Sequence, residues 1–270
     1  MSPGTDRSTV VPALRSARAV VFDTDGVLTD SARVHAAAWK EAFDAYLGAL
    51  PPGAANASAR RPFDAAEEYR RYVDGRSRRD GAAAFLAARG LPAGEDAVEA
   101  VAADKERRFT EHLRARPVDA YPGSVRLVRA LREAGVPMAA ASASRHAREL
   151  LAGAGLLDLF DTLVDGVEAA DLGLPGKPDP ALFLEAARRL GVPAGRCALV
   201  EDALAGVEAG RRGGFGLVVG VDRARGGGPG GPAPAAGSDT STARALRRHG
   251  ADLVVADLAE LLAVREGQPS

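Results

Sequence analysis

Cysteine is almost absent from this 270-residue sequence, which contains only Cys197. An internal disulfide framework is therefore excluded. Cys197 begins the apolar run 197–200, and we interpret it as a small core residue of a buried strand. A chain of this length can bury a core large enough to fold without disulfides or structural metals.

Net charge is also nearly absent, because 35 Lys and Arg residues face 36 Asp and Glu residues, for a formal net charge of -1. No overall field attracts the protein to nucleic acid or to an anionic membrane, so local charges must bind any anionic ligand. No long apolar segment occurs near the start, where residues 10–14 are too short and interrupted for a signal sequence or a membrane span. We therefore expect a cytoplasmic protein whose partners include neither nucleic acid nor a membrane.

The sequence does contain an alternation of predicted strands and helices. Short β-branched or apolar runs predict strands, and apolar residues at helical spacing predict helices. The predicted strands are 18–22, 136–141, 162–164, 197–200, 215–221 and 252–255. The helices that alternate with them are predicted at 31–47, 124–134, 145–154, 180–190, 203–212, 243–250 and 258–265. This alternation is typical of an α/β fold with a parallel sheet.

A purely helical stretch interrupts the alternation after the first strand, and its helices are predicted at 65–73, 80–88 and 94–114. Turn-rich segments mark both of its ends. We therefore predict an α/β core domain of residues 17–31 and 119–265, into which an all-helical cap of residues 32–118 is inserted. Residues 1–16 are predicted to be a loose leader. Residues 226–242, which are rich in Gly, Pro, Ala, Ser and Thr, are predicted to be a mobile loop.

An acidic loop follows the first predicted strand. Asp23 and Asp25 are two residues apart at an extended strand end, which directs both carboxylates to the same side of the sheet, and Gly26 permits a tight turn beside them. Open parallel sheets bind ligands at the carboxyl ends of their strands. We interpret Asp23 as a nucleophile that forms an aspartyl phosphate and Asp25 as the general acid/base. An acidic turn is the alternative for this tetrapeptide alone.

Two groups with phosphate-binding chemistry follow later strands. The Ser142 hydroxyl and the following backbone N–H groups, including that of Ala143, could hold phosphoryl oxygens, although serine is also an ordinary helix cap. Lys177 lies in a proline-rich turn, where its ammonium would neutralise charge on both the nucleophile and the phosphate. The alternative for Lys177 is a solvated turn lysine.

A second acidic pair, Glu201 and Asp202, follows the strand at 197–200. Carboxylates on neighbouring strand ends, with a phosphate oxygen and waters, make the oxygen-rich environment that suits Mg²⁺. We therefore predict a magnesium site formed by Asp23, Asp25, Glu201 and Asp202. The metal would offset the repulsion among these groups and stabilise charge on a transferring phosphoryl group.

These four groups, in this chain order, resemble the haloacid dehalogenase superfamily. Its phosphotransferases carry an Asp-x-Asp-Gly loop, a Ser or Thr, a Lys and an acidic pair, and the match covers residues 17–223. The resemblance implies a Rossmann-like three-layer sandwich, Mg²⁺ as cofactor and a small phosphorylated substrate. It also implies that the backbone carbonyl of Asp25 is a metal ligand and that Glu201 makes an additional acidic contact. We expect a monomer, with a homodimer as the alternative.

Within that superfamily, the helical insertion resembles the cap of the β-phosphoglucomutase-like group. The residues that carry this likeness are His35, Trp39, Arg78, Lys105, Ser144, Arg145 and His146. In that group, the corresponding residues sense cap closure and hold the non-transferring phosphate or the sugar. The alternatives are a helix-face histidine without a role for His35 and a solvated helix lysine for Lys105.

Two features qualify this likeness. His146 departs from the mutase pattern, which has an asparagine at that position. The segments 71–75 and 173–177 also resemble cap domains that accompany trehalose-phosphate phosphatases in some bacteria.

Three functions remain open at this point. The first is a Mg²⁺-dependent phosphatase of a small phosphorylated metabolite such as a sugar phosphate, in which water removes the phosphoryl group from Asp23. The second is a β-phosphoglucomutase that interconverts hexose 1- and 6-phosphates, in which a sugar hydroxyl removes it. The third is a non-catalytic binding or regulatory module, which is disfavoured because none of the inferred catalytic residues is replaced by an inert one.

Overall fold

A computed structural model describes residues 10–223 and 240–263. Its centre is a six-stranded parallel sheet with the strand order β3-β2-β1-β4-β5-β6. The strands are β1 (Ala19–Phe22), β2 (Met138–Ala141), β3 (Thr162–Val164), β4 (Cys197–Glu201), β5 (Leu217–Val221) and β6 (Leu253–Val255). Because β1 pairs with β2 on one side and β4 on the other, the carboxyl ends of these three strands lie side by side.

Helices cover both faces of this sheet. The α-helices are α1 (Pro12–Arg15), α2 (Ala32–Ala49), α3 (Arg78–Ala88), α4 (Glu95–Ala115), α5 (Pro122–Glu133), α6 (Ala147–Gly153), α7 (Gly166–Asp171), α8 (Ala181–Arg189), α9 (Leu204–Arg212) and α10 (Ser241–His249). Alternate strand residues face opposite sides, so Val20 and Phe22 pack against α1, α5 and α6. Ala19 and Val21 pack against α8, α9 and α10. The predicted three-layer α/β sandwich with a parallel sheet is confirmed.

The regular elements between β1 and α5 are all helices, as predicted for a cap. It contains α2, a π-helical turn at Tyr69–Val73, α3 and α4. Its own core is aromatic, since the ring centroid of Phe43 lies 4.0 Å from that of Phe85 and 4.8 Å from that of Phe63. The helical cap is therefore present, while its boundaries at residues 32 and 118 stay a prediction.

The two chain segments that connect the cap to the core run side by side. The backbone N–H of Asp30 donates to the carbonyl of Asp119 at 2.9 Å, and that of Tyr121 donates to the carbonyl of Leu28 at 3.0 Å. Thr29 and Ala120 form an antiparallel bridge between them. Both connections therefore form one paired hinge next to the acidic loop.

The structure differs from the sequence-based prediction at both ends of the described chain. In the predicted loose leader 1–16, residues 10–16 pack on the core, where Leu14 is buried and Val10 pairs with Leu262. In the predicted helix 258–265, only Leu258–Leu261 is helical, as a 3-10 turn. Residues 1–9 and 264–265 lie outside the described chain.

Two internal segments also differ. Of the predicted loop 226–242, residues 226–239 lie outside the described chain, while Thr240 caps α10 by accepting a hydrogen bond from the backbone N–H of Ala243. Helix α7 was not predicted, because its six residues are too few to show a helical period; Asp165 caps it. Within the described ranges, no helix is long and apolar enough to cross a membrane.

Candidate active site

The predicted nucleophile, Asp23, is the first residue after β1. Its backbone N–H extends the strand pairing by donating to the carbonyl of Val200 at 2.9 Å. Its Oδ1 accepts a hydrogen bond from Lys177 Nζ at 2.6 Å, and its Oδ2 accepts one from the backbone N–H of Asp25 at 3.0 Å. The carboxylate is therefore buried and fixed through both oxygens, at the strand end where parallel sheets bind ligands.

Lys177 is held between two carboxylates. Its Nζ donates to Glu201 Oε1 at 2.7 Å as well as to Asp23. Burial would lower the pKa of Lys177, but the two carboxylates raise it above its usual range, so the ammonium stays ionised. Glu201 Oε2 accepts a hydrogen bond from the backbone N–H of Ala203. Both Glu201 oxygens are thus engaged, and Glu201 orients Lys177; its metal role stays a prediction.

Asp25 faces the helical cap. Its Oδ1 accepts a hydrogen bond from the Ser31 hydroxyl and lies 3.3 Å from His35 Nε2, while its Oδ2 accepts one from Ser142 Oγ at 3.2 Å. Burial opposes ionisation, but His35, Ser31 and Lys105 together hold the pKa of Asp25 well below its usual range. Asp25 is therefore a carboxylate in this arrangement.

An excess of negative charge surrounds Lys177. Burial raises the pKa of Asp23 to about 8 despite Lys177, and burial together with Glu201 raises the pKa of Asp74 to about 7. Burial and the nearby carboxylates also raise the pKa of Asp202. Several carboxylates around one ammonium repel one another, and a divalent cation is the group that would offset this repulsion.

The donor chemistry fits Mg²⁺. Asp23, Asp202 and the Asp25 carbonyl offer oxygen atoms only, which Mg²⁺ prefers. Asp202 lies against the backbone of Gly26, where an added Cβ would come within 1.9 Å of Asp202 Oδ2. Within residues 10–223 and 240–263, no group of three or more His, Cys, Asp or Glu side chains is arranged to hold a metal. Mg²⁺ needs no such group, because it commonly uses one or two carboxylates and takes its other ligands from phosphate and water.

The loop after β2 supplies the predicted phosphate ligands. The Ser142 backbone N–H donates to the carbonyl of Val164 at 2.9 Å, and its Oγ accepts a hydrogen bond from the Ser144 N–H at 3.1 Å. Gly166 packs so closely on this loop that an added Cβ would lie 2.4 Å from the Ala143 carbonyl oxygen. Ala143, Ser144 and Arg145 line the same pocket as Asp23 and Lys177.

The cap brings His35, Trp39 and Lys105 to this pocket. The His35 ring stacks on Phe109 at 4.0 Å between centroids, and its Nδ1 lies 3.0 Å from Lys105 Nζ. Lys105 is only 4% exposed, and its burial lowers its pKa to about 8. It is therefore not a solvated helix lysine. Trp39 is buried and stacks on Phe43 at 4.8 Å between centroids.

Known proteins are similar to this chain in sequence and in fold. A family model for haloacid dehalogenase-like hydrolases matches residues 17–214. The chain belongs to this family. It is 40% identical over 265 residues to the beta-phosphoglucomutase of Mycobacterium bovis, an alignment that covers 95% of each chain.

Two further relatives extend the comparison. One is a solved haloacid dehalogenase family hydrolase from Deinococcus radiodurans, with bound phosphate and sodium. It is 33% identical to this chain with a TM-score of 0.59, and the match covers 91% of this chain and 93% of that chain. The trehalose-phosphate phosphatase of Mycobacterium leprae is 37% identical over 145 residues, which cover 53% of this chain and 29% of that protein. This member of the haloacid dehalogenase family is therefore an enzyme of the phosphatase or phosphotransferase kind.

The pocket of this hydrolase also contains cap residues that sequence reasoning missed, namely Tyr69, Asp74, Gly75, Arg76 and Glu106. Arg76 and Arg78 each have a buried Nε without a hydrogen-bond partner. The cap loop that carries them touches the core, since a Cβ on Gly75 would lie 2.7 Å from the Cβ of Ala203. The sequence did offer one signal for Arg76. It lies in the arginine-rich run 76–79, close to Arg78, which the family resemblance had singled out.

Arg223 is a further residue that the sequence did not single out, and it binds the backbone of the acidic loop. Its Nε donates to the Gly26 carbonyl at 3.0 Å, and its Nη2 donates to the Val27 carbonyl at 2.7 Å. The guanidinium carbon lies 3.7 Å from the centre of the Tyr121 ring. No motif marked Arg223, because it lies in a segment without regular spacing.

His146 lies at the end of the loop after β2, as the family resemblance implied, but it contacts the cap. Its Nε2 lies 2.7 Å from Glu106 Oε1 on α4, and the other Glu106 oxygen lies 4.0 Å from Arg78 Nη1. The hydrogen bond to Glu106 raises the pKa of His146, and the same hydrogen bond lowers the pKa of Glu106 to about 2. An ion pair therefore links the cap to the core at this edge of the pocket.

Proposed function

We propose that this enzyme is a Mg²⁺-dependent β-phosphoglucomutase, which interconverts hexose 1- and 6-phosphates through a phosphorylated Asp23. The observation that carries the proposal is the presence of positive charge at two separate places in one pocket. Lys177 is paired with Asp23, whereas Arg76 and Arg78 come from the cap and Arg145 from the loop after β2. A mutase needs both, because its bisphosphate intermediate carries a phosphate at each end.

The chemistry begins from Asp25 in its carboxylate form. Asp25 accepts the proton of a sugar hydroxyl while that oxygen attacks phosphorus and the bond between phosphorus and Asp23 breaks. In the reverse direction, an Asp23 oxygen attacks phosphorus, the bond to the sugar oxygen breaks, and Asp25 returns the proton to that oxygen. Bound Mg²⁺, held by Asp23, Asp202 and the Asp25 carbonyl, would neutralise charge on the phosphoryl group.

The other residues of the pocket position the substrate. Lys177 neutralises part of the charge on Asp23 and on the arriving phosphoryl group, and Ser142 with the Ala143 N–H binds its oxygens. The cap covers the site and excludes water, which would otherwise hydrolyse the aspartyl phosphate. Arg76, whose buried Nε lacks a partner, would bind the phosphate at the far end of the substrate.

A phosphatase of a small phosphorylated metabolite is the second candidate. The observation that favours it is Glu106, whose carboxylate already lies between Arg78 and His146. A carboxylate at this place competes with a second phosphate for the same positive groups, and a phosphatase needs no second phosphate.

One experiment separates these functions. The protein is incubated with Mg²⁺ and a panel of hexose monophosphates, with and without catalytic glucose 1,6-bisphosphate, while isomerisation and phosphate release are followed separately. Isomerisation that exceeds release supports the mutase, and release without isomerisation supports the phosphatase. If neither occurs on any hexose monophosphate, the non-catalytic binding module gains support. Asp23→Asn is expected to abolish either activity, and full activity of this variant would refute Asp23 as the nucleophile.

A further inference from the structure

The ion pair between Glu106 and His146 joins two parts of the enzyme that are distant in sequence. Glu106 belongs to α4 of the cap, and His146 immediately precedes α6 of the core. The two side chains are partly exposed, at 29% for Glu106 and 19% for His146, and their closest atoms are 2.7 Å apart. The two helices also meet through Phe109 and Leu150, which belong to one apolar cluster, so the ion pair adds a polar contact between the cap and the core.

The surroundings of His146 favour its protonated form. Glu106 faces it from α4, and Glu149 on its own helix lies 3.4 Å from its Nδ1. On the cap side, the Phe109 ring lies 5.2 Å from the His146 ring, and Lys105 and His35 pack against the same Phe109 ring. Two positive charges disfavour protonation of His146. They belong to Arg78, which faces Glu106, and to Arg145, the preceding residue.

Glu106 also occupies a particular place in the pocket. It lines the cavity together with Arg78 and Arg145, and its two oxygens face Arg78 in the cap and His146 in the core. A carboxylate between positive groups of two domains holds those domains together. Glu106 can therefore keep the cap closed when no second anionic group of a substrate is present to do so.

We propose that the Glu106–His146 ion pair determines whether the phosphoryl group on Asp23 passes to a sugar hydroxyl or to water. The proposal rests on the proposed function. After a monophosphate product leaves, the phosphorylated enzyme waits for its next substrate, and the ion pair returns the cap to the closed position during that wait. Without the ion pair the cap stays open for a larger fraction of the time, and water reaches the aspartyl phosphate.

The ion pair depends on pH in a defined direction. It needs Glu106 as a carboxylate and His146 as an imidazolium. The contact is therefore strongest at acidic to neutral pH and weakens as pH rises through the elevated pKa of His146. Phosphate release relative to isomerisation is expected to increase over that interval.

Two variants that remove one charge of the pair test the proposal, Glu106→Gln and His146→Gln. The matched control is Glu111→Gln, which makes the same change on the same helix at a residue that forms an ion pair with Arg107 of that helix. The ratio of isomerisation to phosphate release is expected to fall about three- to tenfold in both test variants and to stay unchanged in the control. His146→Arg restores a cation, so it is expected to recover the ratio and to remove its pH dependence.

A second measurement follows cap closure without catalysis. Trp39 is the one tryptophan of the chain, is 3% exposed, and lines the pocket beneath the cap. Acrylamide should quench its fluorescence more strongly in Glu106→Gln and His146→Gln than in the wild type or Glu111→Gln. For the wild type, quenching should increase as pH rises through the pKa of His146.

The two measurements distinguish failure of the proposed mutase function from failure of the proposed cap closure by the ion pair. If the wild type releases phosphate without isomerising any hexose phosphate, the mutase function is wrong, and quenching alone then decides whether the ion pair closes the cap. Quenching constants and product ratios that match the wild type in both test variants would overturn the proposal. A double variant whose effect equals that of either single variant supports it, because the two residues then act as one pair.

Discussion

Replacing Gly26 by alanine is expected to weaken magnesium binding, because an added Cβ would lie 1.9 Å from Asp202 Oδ2. The carboxylate must move away from this position. Gly26 also has a φ of 78°, a backbone conformation that costs an alanine about 1–2 kcal/mol. A change of stability alone would therefore not identify the effect on Asp202.

Gly53→Ala is the matched control. Gly53 has a φ of 80°, and an added Cβ there meets nothing within 4 Å. Both variants therefore carry similar backbone strain, and only Gly26→Ala displaces a predicted metal ligand.

The displacement is expected to lower Mg²⁺ affinity about 10–100-fold, which corresponds to about 1.4–2.8 kcal/mol. Calorimetric titration of Mg²⁺ into both variants measures this difference, and urea unfolding measures the shared strain. If Gly26→Ala binds Mg²⁺ as tightly as Gly53→Ala, then Asp202 is not a metal ligand and the close contact with Gly26 has no role in metal binding.

Three further predictions concern buried or bridging charges. Lys177→Met should abolish activity and reduce the free energy of unfolding by about 3–5 kcal/mol, because it leaves Asp23 and Glu201 buried without their cation. Thermal and urea unfolding measure the change, and a variant as stable as the wild type would contradict the prediction. Arg89→Met should reduce the free energy of unfolding by a similar amount, because Arg89 and Glu68 form an ion pair within the cap in which each side chain is 6% exposed. An unchanged melting temperature would refute this prediction. The contribution of Glu106 to stability should be present above pH of about 4.5 and disappear as pH falls through about 2, since its pKa is lowered in the folded state. As pH falls across this range, the urea midpoint should decrease more in the wild type than in Glu106→Gln.

The position of the two acidic groups of the candidate site was predictable from the sequence because each group follows a buried strand. The apolar run before Asp23 and the one before Glu201 are local signals, and a parallel sheet brings such strand ends together whatever the rest of the chain does. The structure places Lys177 with both of these carboxylates. The sequence could not show that Lys177 and the Ala203 N–H engage both Glu201 oxygens, since that depends on where the turn before α8 lies in space.

The cap side of the pocket was less predictable. Arg76 and Glu106 lie on elements whose position over the core is set by tertiary packing. The arginine-rich run 76–79 was a local signal for Arg76, but no local pattern marks Glu106 as a binding residue. His146 was identified as a departure from a pattern, but its partner lies 40 residues earlier in the chain. Short elements such as α1 and α7 were missed for another reason, since one turn of helix carries no detectable periodicity.

The paired hinge between residues 28–30 and 119–121 has a consequence for the way this enzyme opens. Because the outgoing and returning chains are hydrogen-bonded to each other, we expect them to move together when the cap moves. We expect a rotation of the cap about this hinge to move His35, five residues beyond Asp30, less than the Gly75 loop, which meets Ala203. Substrate exchange is then expected to separate the arginines from the core while His35 stays near Asp25.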